Sequence, residues 1–95
     1  MKNNATIISP EDNVVVAIEP IHAGDAVLWG PNQKTKVTAV EDIPIYHKIA
    51  IADIKPGEKV VKYGEHIGEA TEFIPKGAHV HVHNVRGVRE NLDQK

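Results

Sequence analysis

A chain of 95 residues without cysteine has the length of one domain, spanning 1–95, and leaves disulfide scaffolds, zinc ribbons and thiol catalysis out of account. Eleven Lys and Arg stand against 13 Asp and Glu, for a net charge of −2, and aromatic residues make up 4%; with no basic stripe and no stacking platform, no nucleic acid is expected as a partner. No apolar run nears the roughly 20 residues of a membrane span and no signal-peptide core follows Met1, so a cytoplasmic protein with no membrane association is expected.

The apolar set is 12 Val and 11 Ile against 2 Leu and 1 Met. β-branched side chains lose χ1 freedom in helices and pack well on a pleated surface, so the composition predicts a mostly β protein. In chain order the expected strands are 5–9, 13–18, 26–29, 36–40, 59–62, 66–71 and 78–84, with a hairpin tip at Gly30-Pro31-Asn32-Gln33. The stretch 45–54 reads equally as a strand or a short helical turn. A polar tail, 86–95, closes the sequence.

One phrase, Ile-x-x-Gly-x-x-Val, recurs from Ile21 to Val27, from Ile54 to Val60 and from Ile74 to Val80; an imperfect fourth copy, Ile43 to Ile49, has Tyr46 in place of the glycine. Pro56-Gly57 is the pair a type II turn favours, because Pro fixes φ and Gly takes the positive φ that follows. The repetition predicts a folded-over, pseudo-symmetric β structure in which each copy turns the chain back on itself.

Three of the six histidines lie in His79-Val80-His81-Val82-His83-Asn84. As a continuous strand this segment would turn Val80 and Val82 to the core and all three imidazoles to one outer face. Ligands two residues apart would then sit about 6.6 Å apart, and His79 and His83 about 13 Å apart, so at most two of His79, His81 and His83 can serve one ion. A metal site would need a third ligand such as His47, His66, a carboxylate or a group from another chain. A solvated edge-strand face, a metal or proton-transfer role, and a partner interface are all consistent with the pattern.

Two smaller groups carry chemistry. Lys62-Tyr63-Gly64 offers an ammonium, a hydroxyl and a permissive backbone, a set that holds a carboxylate. His47-Lys48 places a general-base candidate beside a cation. For both, a solvated strand end or loop is the simpler reading.

Together, Glu41-Asp42-Ile43-Pro44, His47-Lys48-Ile49-Ala50, Asp53-Ile54, Gly57, Val61-Lys62-Tyr63-Gly64, Ile67-Gly68, Ala70 and His79 to Asn84 closely resemble the small N-terminal SAF domain of the altronate dehydratase family. The resemblance covers about residues 8–93, and the family's usual glycine before His-Lys is Tyr46 here. It implies an SAF-type β-clip fold, similar to type III antifreeze proteins, with short helical turns.

The resemblance also implies a hydro-lyase. Altronate and galactarate dehydratases remove the proton α to a carboxylate and expel the β-hydroxyl, while the related sulfolactate sulfo-lyase expels sulfite. On this basis the chain is expected to be a small subunit or module of a metal-dependent dehydratase, inactive alone. Its partners would be a large catalytic subunit or domain and a small hydroxy-acid substrate, and its divalent metal iron or manganese. His47 and Lys48 are then candidate catalytic residues, Lys62, Tyr63 and Gly64 candidate substrate contacts, and His79, His81 and His83 candidate metal ligands. A sulfolactate sulfo-lyase α subunit and a free-standing carbohydrate- or anion-binding module are the alternatives.

Overall fold

The computed structural model describes residues 3–7, 9, 11–30, 35–62 and 64–87. Tyr63, most of the 30–33 hairpin tip and residues 88–95 of the expected tail lie outside them. Among the described residues nine strands follow in order: β1 (Ala5–Thr6), β2 (Val14–Ala17), β3 (Ala26–Trp29), β4 (Thr35–Thr38), β5 (Lys48–Ala50), β6 (Lys59–Lys62), β7 (Glu65–Ala70), β8 (His79–Val80) and β9 (Val85–Gly87). They form a four-stranded sheet in the order β1-β2-β5-β8, a β3-β4 hairpin and a three-stranded sheet in the order β6-β7-β9, with every pairing antiparallel. The mostly β expectation holds. Among the described residues no helix occurs, so the expected short helical turns are not found there; the ambiguous 45–54 stretch is a turn followed by β5. No helix among these residues is long and apolar enough to cross a membrane.

The recurring phrase organises the fold. Each copy folds a four-residue turn, closed by the N–H of Asp25, His47, Glu58 or Ala78 donating to the carbonyl three residues back. Gly24, Tyr46, Gly57 and Gly77 occupy the third turn position with φ of 91°, 71°, 86° and 94°. Tyr46 therefore keeps the turn of the other copies, at the steric cost a non-glycine residue incurs in the left-handed region.

An alanine four residues before each isoleucine completes the unit. Gly24 N–H donates to Ala39 O, and Ala39 N–H to Asp25 O; Tyr46 and His47 exchange the same two bonds with Ala17. Gly57 and Glu58 do so with Ala70, and Gly77 and Ala78 with Ala50. Counted in chain order, the first copy (from Ile21) is thus closed by the alanine of the second (from Ile43) and the second by that of the first, around an antiparallel Ile21–Ile43 bridge; the third (from Ile54) and fourth (from Ile74) repeat the swap around Ile54–Ile74. This is the pseudo-symmetry the repeats predict.

Each pair of copies has its own core. Val15, Ala17, Ile21, Val27, Trp29, Ala39, Ile43 and Ile49 fill one, and Val14, Ala50, Ile54, Val60, Ala70, Ile74 and Val80 the other. Neighbours on one strand, such as Val14 and Val15, serve opposite cores because successive side chains point to opposite faces.

The expected 78–84 strand requires correction. β8 stops at Val80, and a turn closed by Asn84 N–H on His81 O carries the chain into β9. Val82 is 81% exposed rather than core-facing. The strand ends because the Asn84 side chain intervenes: its Oδ1 accepts from His81 N–H at 3.0 Å and its Nδ2 donates to His79 O at 2.8 Å. Asparagine competes in this way with ladder bonding wherever its short amide reaches the nearby backbone.

A candidate metal centre built from three imidazoles

Strands β5 and β8 pair Lys48 with Val80 and Ile49 with His79. Extended by one residue, that register sets His47, the last residue of a turn, opposite His81, the first residue beyond β8. The turn at 81–84 folds the remaining histidine back, so imidazoles that an extended strand would string out gather in one place.

His47 Nδ1 lies 2.8 Å from His79 Nε2. One of these nitrogens carries a proton and the other accepts it. The His47 and His81 rings stack with centroids 4.3 Å apart, and His79 and His81 are 5.6 Å apart. One nitrogen from each of His47, His79 and His81 falls within 4.8 Å of the others, and all three side chains are half-buried. His83, whose ring lies 5.1 Å from that of His79, stands outside this set although it is far closer than the 13 Å of an extended strand.

The surroundings favour neutral rings at His79 and His81. Burial, the neighbouring His47 and His83 and, more weakly, His81 push the His79 pKa below its ordinary value, with Glu41 opposing. His81 is lowered by desolvation and by His47, Lys48 and His83. The neutral ring is the form that offers a lone pair to a metal. Glu41 Oε2 accepts the His79 backbone N–H at 3.0 Å, and buried Asn84 fixes the carbonyl of His79 and the N–H of His81. These two positioning residues are legible in the sequence only as an acid and an amide; the contacts that give them work are long-range or depend on the unforeseen turn.

Lys48 is half-buried, and its ammonium is pushed below its usual pKa by desolvation and by the charge of Lys62. The structure thus brings together His47, Lys48, His79 and His81, with Lys62 near. Gly64 sits apart in a turn with φ of 73°, and its N–H donates to Asp12 Oδ1 at 2.7 Å. His66 and His22 do not join the cluster: the Nε2 of His66 is buried without a hydrogen-bond partner, and exposed His22 lies 3.7 Å from Asp25.

Two large apolar side chains stand in solvent next to the cluster in sequence. Tyr46, 73% exposed, precedes His47, and Val82, 81% exposed, separates His81 from His83.

Residues 3–88 match the family described as the altronate/galactarate dehydratase SAF domain. The chain is similar to the (2R)-sulfolactate sulfo-lyase subunit alpha of Chromohalobacter salexigens, with 44% identity over 78 residues, 79% of this chain and 83% of that one. It is similar also to altronate dehydratase of Escherichia coli K12, 42% identical over 83 residues, which are 87% of this chain but 16% of that enzyme. A third relative, the (2R)-sulfolactate sulfo-lyase subunit alpha of Paracoccus pantotrophus, is 41% identical over 63 residues, 66% of this chain and 94% of the relative.

Proposed function

The chain belongs to the altronate/galactarate dehydratase SAF-domain family, and from that membership we propose that it is the small subunit or module of a metal-dependent sugar-acid dehydratase, a cytoplasmic hydro-lyase that works with a large catalytic subunit or domain. The observation that carries the reading is the half-buried set of His47, His79 and His81, in a chain that spans about a sixth of the altronate dehydratase it resembles.

The donor set fits a divalent ion. Imidazole nitrogens bind at about 2.0–2.1 Å, which requires ligand nitrogens about 3.3 Å apart; the three nitrogens here lie within 4.8 Å, a gap that ring rotation closes. Three neutral imidazoles suit iron better than manganese, which prefers oxygen ligands. When bound, the ion supplies Lewis acidity toward the oxygens of a hydroxy acid. His47 acts as a ligand in this arrangement rather than as a free base, Glu41 and Asn84 hold the His79 and His81 backbone, and Lys48 supplies a cation beside the cluster.

Tyr46 and Val82, exposed and next in the chain to His47 and His81, offer apolar surface that suits coverage by a larger protein surface. A partner is needed on grounds of size as well. The hollow beside the cluster measures about 200 Å³, below the roughly 300–1,000 Å³ of sites that enclose a whole small-molecule ligand.

Reconstitution with the large subunit of the same enzyme, assayed on altronate, galactarate and sulfolactate, tests the reading. Turnover of a sugar acid by the pair and none by the chain alone is expected; full turnover by the isolated chain would overturn it. A second reading, the α subunit of a sulfolactate sulfo-lyase, is favoured by the match to 83% of one such subunit. In the same assay it predicts sulfite release from sulfolactate and no sugar-acid dehydration.

A further inference from the structure

The hollow of about 200 Å³ is lined by Lys48, Ile67, His81, Val82, Val85 and Gly87. It shares His81 with the imidazole cluster, and Lys48 is the charged residue among the described ones that line it. Among the described residues no carboxylate pairs with Lys48 and no hydrogen bond engages its amine, although the side chain is half-buried and Lys62 acts on it as a like charge. A cation withdrawn from water without a counter-ion costs free energy, and a second lysine adds to the cost. An anion seated in the hollow relieves both.

We propose that this hollow is an oxyanion subsite that takes the carboxylate of a small hydroxy acid, held by the Lys48 ammonium at the edge of the imidazole cluster. The proposal rests on the dehydratase reading only for the identity of the acid. Ile67, Val82 and Val85 wall the hollow with apolar surface, which lowers the local dielectric and strengthens an ion pair relative to one in open solvent. The volume admits one end of a sugar acid and leaves the remainder for a partner surface to cover. Lysine presents a point charge rather than a bidentate fork, so the subsite selects charge and size more than the planar geometry of a carboxylate.

The test uses the full 95-residue chain without added metal, titrated at constant ionic strength with sodium acetate, sodium D-gluconate and sodium methanesulfonate, with D-glucose as the neutral control. Amide and lysine Nζ resonances are followed by NMR. Saturable shifts grouped on Lys48, Ile67, His81, Val85 and Gly87 are expected with acetate and gluconate, at dissociation constants of about 10 mM, typical in free-energy terms of one weak contact, and none with glucose. Lys48→Gln should abolish the response while the rest of its spectrum stays native, Lys48→Arg should retain it, and Lys55→Gln, at an exposed lysine of the third turn, should leave it unchanged. A matching response to methanesulfonate supports the subsite and extends it to sulfonates. Linear, unsaturable shifts, or shifts that persist in Lys48→Gln, overturn the proposal. Because the titration needs neither metal nor turnover, its failure leaves the dehydratase reading standing, and failed reconstitution leaves the subsite standing.

Discussion

His47 Nδ1 and His79 Nε2 are 2.8 Å apart although 32 residues separate them in the chain. The contact is a product of the repeats: His47 is the fifth residue of the second copy and His79 the sixth of the fourth, and the pairing of β5 with β8 brings the two copies edge to edge. A hydrogen bond between two imidazoles brings two ring nitrogens together, the lone pair of one facing the N–H of the other.

With His81 as the third donor, the first prediction concerns metal. Co²⁺ added to the chain should bind near stoichiometrically and give the visible spectrum of a low-coordinate nitrogen site. His47→Ala and His81→Ala should each lower the affinity by at least about tenfold, the scale on which even a supporting contact to a metal ligand is felt. His83→Ala should retain it, since His83 lies outside the set. Equal loss in all three variants, or none, would assign the ring cluster to packing alone.

The pH dependence of stability has a definite sign. His79 and His81 have pKa values lowered in the folded chain, first by desolvation and then by the neighbouring histidines, with Lys48 also acting on His81. Below the ordinary histidine value of about 6.5 the unfolded chain therefore binds more protons than the folded one, so stability is fully present above that pH. It should fall as pH drops from there through the lowered folded values, then level off for these groups. Denaturant midpoints measured between pH 7.5 and 5 should decline, and the His79→Asn, His81→Asn double variant should flatten the decline. An unchanged slope in that variant would place the titration elsewhere.

Much of the fold is legible in the sequence because turn chemistry and β-branching are local signals. Strands 26–29 and 59–62 fall where short apolar runs lie between turn signals, and the four Ile-x-x-Gly-x-x-Val copies mark the four turns. The alanines at 17, 39, 50 and 70 carry as regular a spacing as the glycines. Their role is hidden because each serves the turn of another copy, a long-range fact. The histidine segment misled because alternation of His and Val is the strand signal itself, and nothing local shows that the Asn84 amide outcompetes the ladder. Two consequences followed: the imidazoles come closer together than a strand allows, and the third ligand, His47, comes from another copy.

Asn84 is 4% exposed and satisfies two backbone groups of the turn. Asn84→Ala removes both partners and should destabilise the chain by about 1–3 kcal/mol, the cost of leaving buried polar groups unpaired. Because those groups belong to His79 and His81, Co²⁺ affinity should fall with stability. A variant that loses stability but binds the ion as tightly as before would show that the turn does not position the rings.

Two glycines with nearly the same backbone separate strain from space. Gly24, at φ of 91°, has nothing within 4 Å of an added Cβ, whereas a Cβ at Gly77, at φ of 94°, would collide with the Thr38 carbonyl oxygen. Gly24→Ala should cost only the left-handed penalty, about 1–2 kcal/mol. Gly77→Ala should cost visibly more, because backbone must move to admit the methyl group. Equal thermal shifts would mean that the second and fourth copies are less tightly apposed than the Val40–Gly77 hydrogen bond implies.

Tyr46 is the one described non-glycine residue with positive φ, at 71°, and its side chain is 73% exposed. Little packing holds it there, so Tyr46→Gly should relieve about 1–2 kcal/mol of steric cost and lose about 0.5–1 kcal/mol to backbone entropy, leaving the isolated chain more stable by up to about 1.5 kcal/mol, as read from denaturant midpoints. Strain retained beside a candidate site points to a use for the side chain, and contact with a partner is the use that exposure next to His47 in the chain suggests. In titrations with the large subunit, Tyr46→Gly should weaken association even as it stabilises the free chain, because truncating an aromatic interface contact costs affinity. If the variant is both more stable and equally well bound, the tyrosine has no role in association; if it is less stable, the turn tolerates the side chain without strain.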